Sequence, residues 1–91
     1  MSKKISLEEE QRLSEIEQVV SVMRSENGRK LMHRFIKMSG QFRASYNPHA
    51  PANDIYFREG ERNMGLMIIA ELNDCAPELY SKMMEESRNV I

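Results

Sequence analysis

The chain has 91 residues and a mass of 10.6 kDa, with 41% apolar and 30% charged residues and a formal net charge of −1. That length suits one small domain and leaves no room for two, and the balance is that of a soluble globular chain rather than a disordered or membrane-embedded one. The longest apolar run, residues 66–70, falls far short of the roughly 20 residues that cross a bilayer, and a single Cys75 excludes an internal disulfide.

The charge is segregated. Residues 1–28 carry four basic and six acidic side chains, residues 29–62 seven and three, and residues 63–91 two and five. A basic middle between acidic ends suits contact with an acidic partner. At the N-terminus, Lys3 and Lys4 lead into Ser6 and three glutamates, which is not the pattern of a secretory leader. The lone cysteine fits a reducing compartment.

The first helix is predicted over about residues 7–24. Ser6 and Glu9 match a capping box, and Glu8, Glu9 and Glu10 suit the positive end of the helix dipole. Leu13, Ile16, Val20 and Met23 recur at helical spacing and form its apolar stripe, with Arg12, Glu15, Glu17 and Gln18 opposite. Ser25 caps a second helix over about 26–39, with Gly40 as its C-terminal stop. Its apolar face holds Leu31, Met32, Phe35, Ile36 and Met38, while Arg29, Lys30, His33, Arg34 and Lys37 line the other side. Gly28, at its start, permits close packing or a bend.

Residues 40–54 read as one long loop, because Pro48 and Pro51 exclude a helix there, with Phe42 and Tyr46 pinning it to the core. A third helix is predicted over about 55–73, capped by Asn53 or Asp54 and ended by Asn73 and Asp74. Ile55, Phe57, Met64, Met67, Ile68 and Leu72 make it the central, most buried element, with Met64 and Met67 as core filler. Gly60 and Gly65 each cost about 1 kcal/mol against alanine inside a helix, so another backbone or a partner is expected to come close there. Pro77 opens a fourth helix to about residue 87, with Leu79, Tyr80, Met83 and Met84 as its apolar face. The reading is all-α: four helices in a small bundle, one domain over residues 1–91, with 1–5 and 89–91 as flexible ends.

The chemistry-bearing residues are sparse. Cys75, His33 and His49 have no partner at metal-ligand spacing, so no metal site and no cofactor are expected. No nucleophile stands beside a base in any recognisable pattern, and no glycine-rich phosphate loop follows a strand; the chain reads as a non-enzyme. The eight methionines favour adaptable packing. Met83 and Met84 are candidates for a partner-facing surface, as are Arg29, Lys30, Arg34, Arg58 and Arg62. With Lys37, the five basic residues also form the surface a DNA-binding reading would use, through helices two and three.

Residues 57–65, Phe-Arg-Glu-Gly-Glu-Arg-Asn-Met-Gly, carry the one distinctive motif. Together with Ser-Glu-Asn-Gly-Arg-Lys-Leu-Met at 25–32 and Phe-Arg-Ala-Ser-Tyr at 42–46, they resemble a family of small proteins encoded by tailed bacteriophages in the head and portal gene region of podovirus-like genomes. The resemblance spans about residues 16–86. It implies a virion-associated structural protein without catalytic role, present in the particle and, during assembly, in the bacterial host cytoplasm. Its partner would be a larger virion protein of the portal or capsid, with homo-oligomers such as a ring of copies also compatible. Within the motif, Phe57 is expected to anchor the third helix to the core, Glu59 to pair with Arg62 and Arg58 with Glu61, and Asn63 to bond the loop near Asn47 and Pro48. Gly28, Gly60 and Gly65 complete the structural set. Two alternatives remain at this point: a packaging or regulatory DNA binder, and an early phage protein that binds and inhibits a host protein.

Overall fold

The computed structural model describes residues 6–40 and 52–89, and all regular structure among them is helical: α1 Leu7–Met23, α2 Glu26–Met38, α3 Ala52–Cys75 and α4 Pro77–Arg88. The protein is thus a small all-α bundle, as its apolar periodicity indicates. The expected contacts of Phe42, Tyr46, Asn47 and Pro48 lie outside the described residues, as do 1–5 and 90–91. Asn89 caps α4, its N–H donating to the Glu86 carbonyl.

The helix ends follow local chemistry. The Ser6 hydroxyl accepts from the Glu9 N–H, and the Ser25 hydroxyl accepts from the Gly28 N–H at 2.9 Å. Gly40 takes a positive φ of 86°, which glycine adopts without steric cost, and its N–H closes on the Lys37 carbonyl. At the α3–α4 junction only Ala76 is non-helical, with φ −149° and ψ 62°. A residue before proline is driven out of the α region, and Pro77 then starts the next helix. The stop is therefore set by Pro77. Asn73 and Asp74, expected to end α3, lie within it, and Asn73 instead donates its side-chain amide to the Ile69 carbonyl.

The start of α3 also needs correction. The helix begins at Ala52, so Asn53 and Asp54 are inside it rather than capping it, and the predicted loop is shorter by its last three residues.

The core takes one side chain from each helix: Met23, Ile36, Leu72 and Met83. Val19, Met32, Ile68, Ile69, Leu79, Tyr80 and Met84 pack around it. All the α3 contributors fall between Ile68 and Leu72, in its C-terminal half. At 1.5 Å per residue, 24 residues give α3 a length of about 36 Å, so its N-terminal half runs past this core. That overturns the expectation of a third helix that is the central, most buried element. Phe57 is 67% exposed and anchors nothing to the core; Met64 and Met67, at 56% and 66%, are not core filler. Periodicity places these residues on one stripe, but burial requires a neighbouring helix, and α1, α2 and α4 gather at the other end. Leu13 in α1, and Leu31, Phe35 and Met38 in α2, are likewise exposed.

The α1–α2 corner brings backbone against backbone. Only Arg24 and Ser25 separate the two helices. A Cβ added at Gly28 would lie 1.8 Å from the Val22 carbonyl oxygen and 2.9 Å from the Ser25 hydroxyl. Gly28 is thus required by close approach of backbone, as its position at the start of the helix suggests.

Candidate functional site

Arg29 follows Gly28 and points inward. It is 5% exposed, and its guanidinium makes two bonds to the Glu86 carboxylate of α4, Nε to Oε1 at 2.6 Å and Nη2 to Oε2 at 3.2 Å. Its Nη1 donates to the carbonyls of Met23 at 3.0 Å and Arg24 at 2.9 Å, at the end of α1. These C-terminal carbonyls lack intrahelical donors, and a cation suits the negative end of the dipole. Arg29 therefore ties α1, α2 and α4 together, and its expected place on a partner-facing surface is corrected: it is an internal strut. Met83 is corrected in the same way, since it is 2% exposed and part of the core, and Met84 packs partly buried beside it.

What α2 does present is a ridge. Lys30, His33, Arg34 and Lys37 share one face by spacings of three, one and three. Lys30 and Arg34 are exposed, with Lys30 meeting Glu26 at 3.2 Å across one turn; Lys37 is exposed and His33 half-buried. Beneath the ridge a groove of about 430 Å³ runs between α2 and α4, lined by Arg29, Lys30, His33, Lys37, Met83 and Glu86 among others. Glu86 is already neutralised by Arg29, so the groove carries a positive rim. Next to it, Leu31, Phe35 and Met38 give α2 an exposed apolar strip.

The motif residues of α3 are spread around that helix. Gly65 is buried and Arg58 is half-buried, while Glu59, Gly60, Arg62 and Asn63 are exposed. A Cβ added at Gly60 would meet nothing within 4 Å. The expected close approach at Gly60 is thus not made among the described residues.

One cluster escaped sequence reasoning. Arg12, expected on a solvated face, crosses from α1 to α3. Its Nη2 donates to Glu71 Oε1 at 2.7 Å, to Asp74 Oδ2 at 2.5 Å and to Cys75 Sγ at 3.4 Å, and Nη1 lies 3.5 Å from Glu15. The Cys75 thiol donates to Glu71 Oε1 at 3.1 Å. Glu71, Asp74 and Cys75 stand at i, i+3 and i+4, and their ligand atoms lie within 4.8 Å of one another. The signal was their spacing on one turn; the missing half was the cation, 59 residues away in sequence. The trio could hold a metal by geometry alone. The Arg12 guanidinium, however, already supplies the positive charge, and burial and the bond to Glu71 push the Cys75 thiol up, favouring SH over the thiolate a metal would need.

Hydrogen bonding sets the other shifts. The bond from Arg12, and then that from Cys75, holds Glu71 below its ordinary 4.5; the bond from Arg29 does the same for Glu86. Both arginines are raised in turn. A carboxylate with a depressed folded value stabilises the fold above its unfolded value and loses that contribution as pH falls through the folded one. Stability is therefore expected to be level with respect to these two groups above about pH 4.5 and to drop below it. Thermal melts by circular dichroism across an acid series check this, and the Glu86→Gln variant should show a shallower acid slope than the native chain.

With the geometry in place, comparison with known proteins adds one decisive match. Residues 19–85 match the Bbp19-like phage protein family, most of the chain and all four helices in whole or part. The chain belongs to the Bbp19-like phage protein family. It is thus a phage protein, as the residue 57–65 motif implied. The family match takes in the Gly28 corner, the Arg29–Glu86 strut apart from Glu86 itself, the α2 ridge and the whole of α3. Arg12 lies before it. No curated protein matches the chain, and no solved structure does. No helix among the described residues is long and apolar enough to cross a membrane.

Proposed function

We propose that this phage protein is a non-enzymatic structural component that docks on a larger assembly of the particle, in the portal region or inner capsid, through the basic ridge and groove of α2. The observation that carries this reading is the ridge itself. Lys30, Arg34 and Lys37 stand exposed on a chain of net charge −1, beside an apolar strip of Leu31, Phe35 and Met38. Exposed cations next to exposed apolar groups suit an acidic protein surface with an apolar centre. The family assignment supports a phage role, and the head and portal placement comes from the gene-region resemblance of the 57–65 motif. Cys75, the one cysteine, sits where the thiol is favoured over the thiolate, which supports a role without nucleophilic catalysis.

Mass spectrometry of purified particles tests the reading. The protein is expected among the head proteins, and Arg34→Glu with Lys37→Glu should remove it from particles while changing its stability by no more than about 0.5 kcal/mol, as for exposed positions in general. Its absence from native particles that hold every other head protein would defeat the proposal.

The same ridge favours a second reading, contact with DNA. That reading gives up Arg29 to Glu86 and shares Lys30 with Glu26. Binding would fall steeply with salt; no complex in a low-salt gel shift would exclude it.

A further inference from the structure

The projecting half of α3 has an organisation of its own. Phe57, Gly60, Met64, Met67, Glu71 and Asp74 follow one another at spacings of three, four, three, four and three. That is the seam of a coiled coil, on which successive side chains alternate into the holes of a facing helix. At its C-terminal end the seam is occupied, because Arg12 of α1 closes on Glu71 and Asp74. From Met67 back to Phe57 the same face lies open: Phe57, Met64 and Met67 are all more than half exposed, and Tyr56 beside them is 70% exposed.

Gly60 sits in the middle of this open stretch. In a helix interior glycine costs about 1 kcal/mol against alanine. Among the described residues nothing lies within 4 Å of its Cβ direction to explain that cost. A notch on an exposed apolar seam has a use when a bulky side chain from another helix enters it.

We infer that the open seam of α3 is where a second copy of this chain packs, α3 against α3 in antiparallel register. The spacing is self-complementary. In such a pair Met64 of each copy fills the notch at Gly60 of the other, and Phe57 meets Met67, so large faces small at the centre and large faces large at the ends. Methionine, unbranched and polarisable, fits such irregular holes. The area is sufficient. At roughly 200 Å² per large side chain, the exposed parts of Tyr56, Phe57, Met64 and Met67 come to about 520 Å² per copy. Two copies bury about 1,040 Å², which reaches the roughly 1,000 Å² a specific interface requires, and about 520 Å² lies in the upper part of the range a monomer leaves bare. The radius of gyration points the same way: 16.8 Å, against about 12 Å for a compact chain of this length. The pairing continues the seam that α1 has begun to cover.

This inference goes beyond the docking of α2 and does not depend on it; the two are read in different experiments. Sedimentation of the purified full chain is expected to give twice the 10.6 kDa monomer mass, with dissociation on dilution. Met64→Glu, alone or with Met67→Glu, should give a monomer whose helical circular dichroism is unchanged, since both positions are exposed in the single chain. Gly60→Leu should also give a monomer, because it fills the notch. Leu66→Glu, exposed on another face of α3, should leave the dimer intact. A monomeric mass at every concentration, or a dimer that survives Met64→Glu with Met67→Glu, would overturn it. A dimer that is missing from particles would count against the docking proposal alone.

Discussion

Gly28→Ala is expected to destabilise the domain by at least about 3 kcal/mol, at the upper end of what overpacking costs. The reason is that the new methyl would meet backbone. A Cβ 1.8 Å from the Val22 carbonyl oxygen and 2.8 Å from its carbon cannot be relieved by a rotamer change. The two-residue connection of Arg24 and Ser25 leaves little slack, so the end of α1 and the start of α2 must separate. That separation would strain the Ser25 cap on the Gly28 N–H and the Arg29 bonds to the Met23 and Arg24 carbonyls. Helix propensity alone pushes the other way, favouring alanine by about 1 kcal/mol. The sign of the change therefore decides between the two effects. Urea unfolding followed by circular dichroism measures it, the midpoint falling while the slope stays constant. An unchanged or higher midpoint would show that the corner opens freely and that Gly28 is not a packing requirement.

Removing the Arg29 guanidinium comes second. Arg29→Met should lower Tm by on the order of 10 °C, as losing one member of an interior ion pair leaves the other charge without its partner. Arg29→Lys should recover little of this. A single ammonium cannot make two parallel bonds to Glu86 and also reach the carbonyls of Met23 and Arg24. The paired variant Arg29→Met with Glu86→Leu should regain much of the loss, because no charge is stranded, yet stay below the native chain, because the end of α1 still lacks its donor. Full recovery would mean that the contacts to α1 contribute nothing. No recovery would mean that Glu86 is comfortable in water without Arg29 and that the loss is one of packing.

These two variants isolate what holds so small a domain together. Among the described residues the buried cluster holds four side chains, two of them flexible methionines, which is a modest core. The bundle adds a backbone-tight corner at Gly28 and two arginine bridges between distant segments, Arg29 to Glu86 and Arg12 to Glu71 and Asp74. Arg12 differs from Arg29 in setting: its side chain and those of its partners remain substantially open to water, so solvent screens it and its removal should matter less.

The amino-acid sequence by itself determined the four helices and those of their ends that local chemistry sets, while the bounds of α3, read as about 55–73, proved to be Ala52–Cys75. Ser6, Ser25, Gly40 and Pro77 act through bonds or steric limits within a few residues, so their effects can be read without knowing the fold, and the apolar repeats fixed the all-α class. The 57–65 motif, read through its resemblance, carried the phage assignment. What only the tertiary structure decided is which side of each helix is covered. Phe57, Met64 and Met67 lie on an apolar stripe as regular as that of Ile68 and Leu72, yet only the latter meet α1, α2 and α4. Arg29 and Arg34 are equally basic on the same helix, yet one is an internal strut and the other a surface cation, because Glu86 happens to stand opposite the first. Periodicity is a property of one helix, whereas burial and ion pairing belong to two, and the second partner lies dozens of residues away.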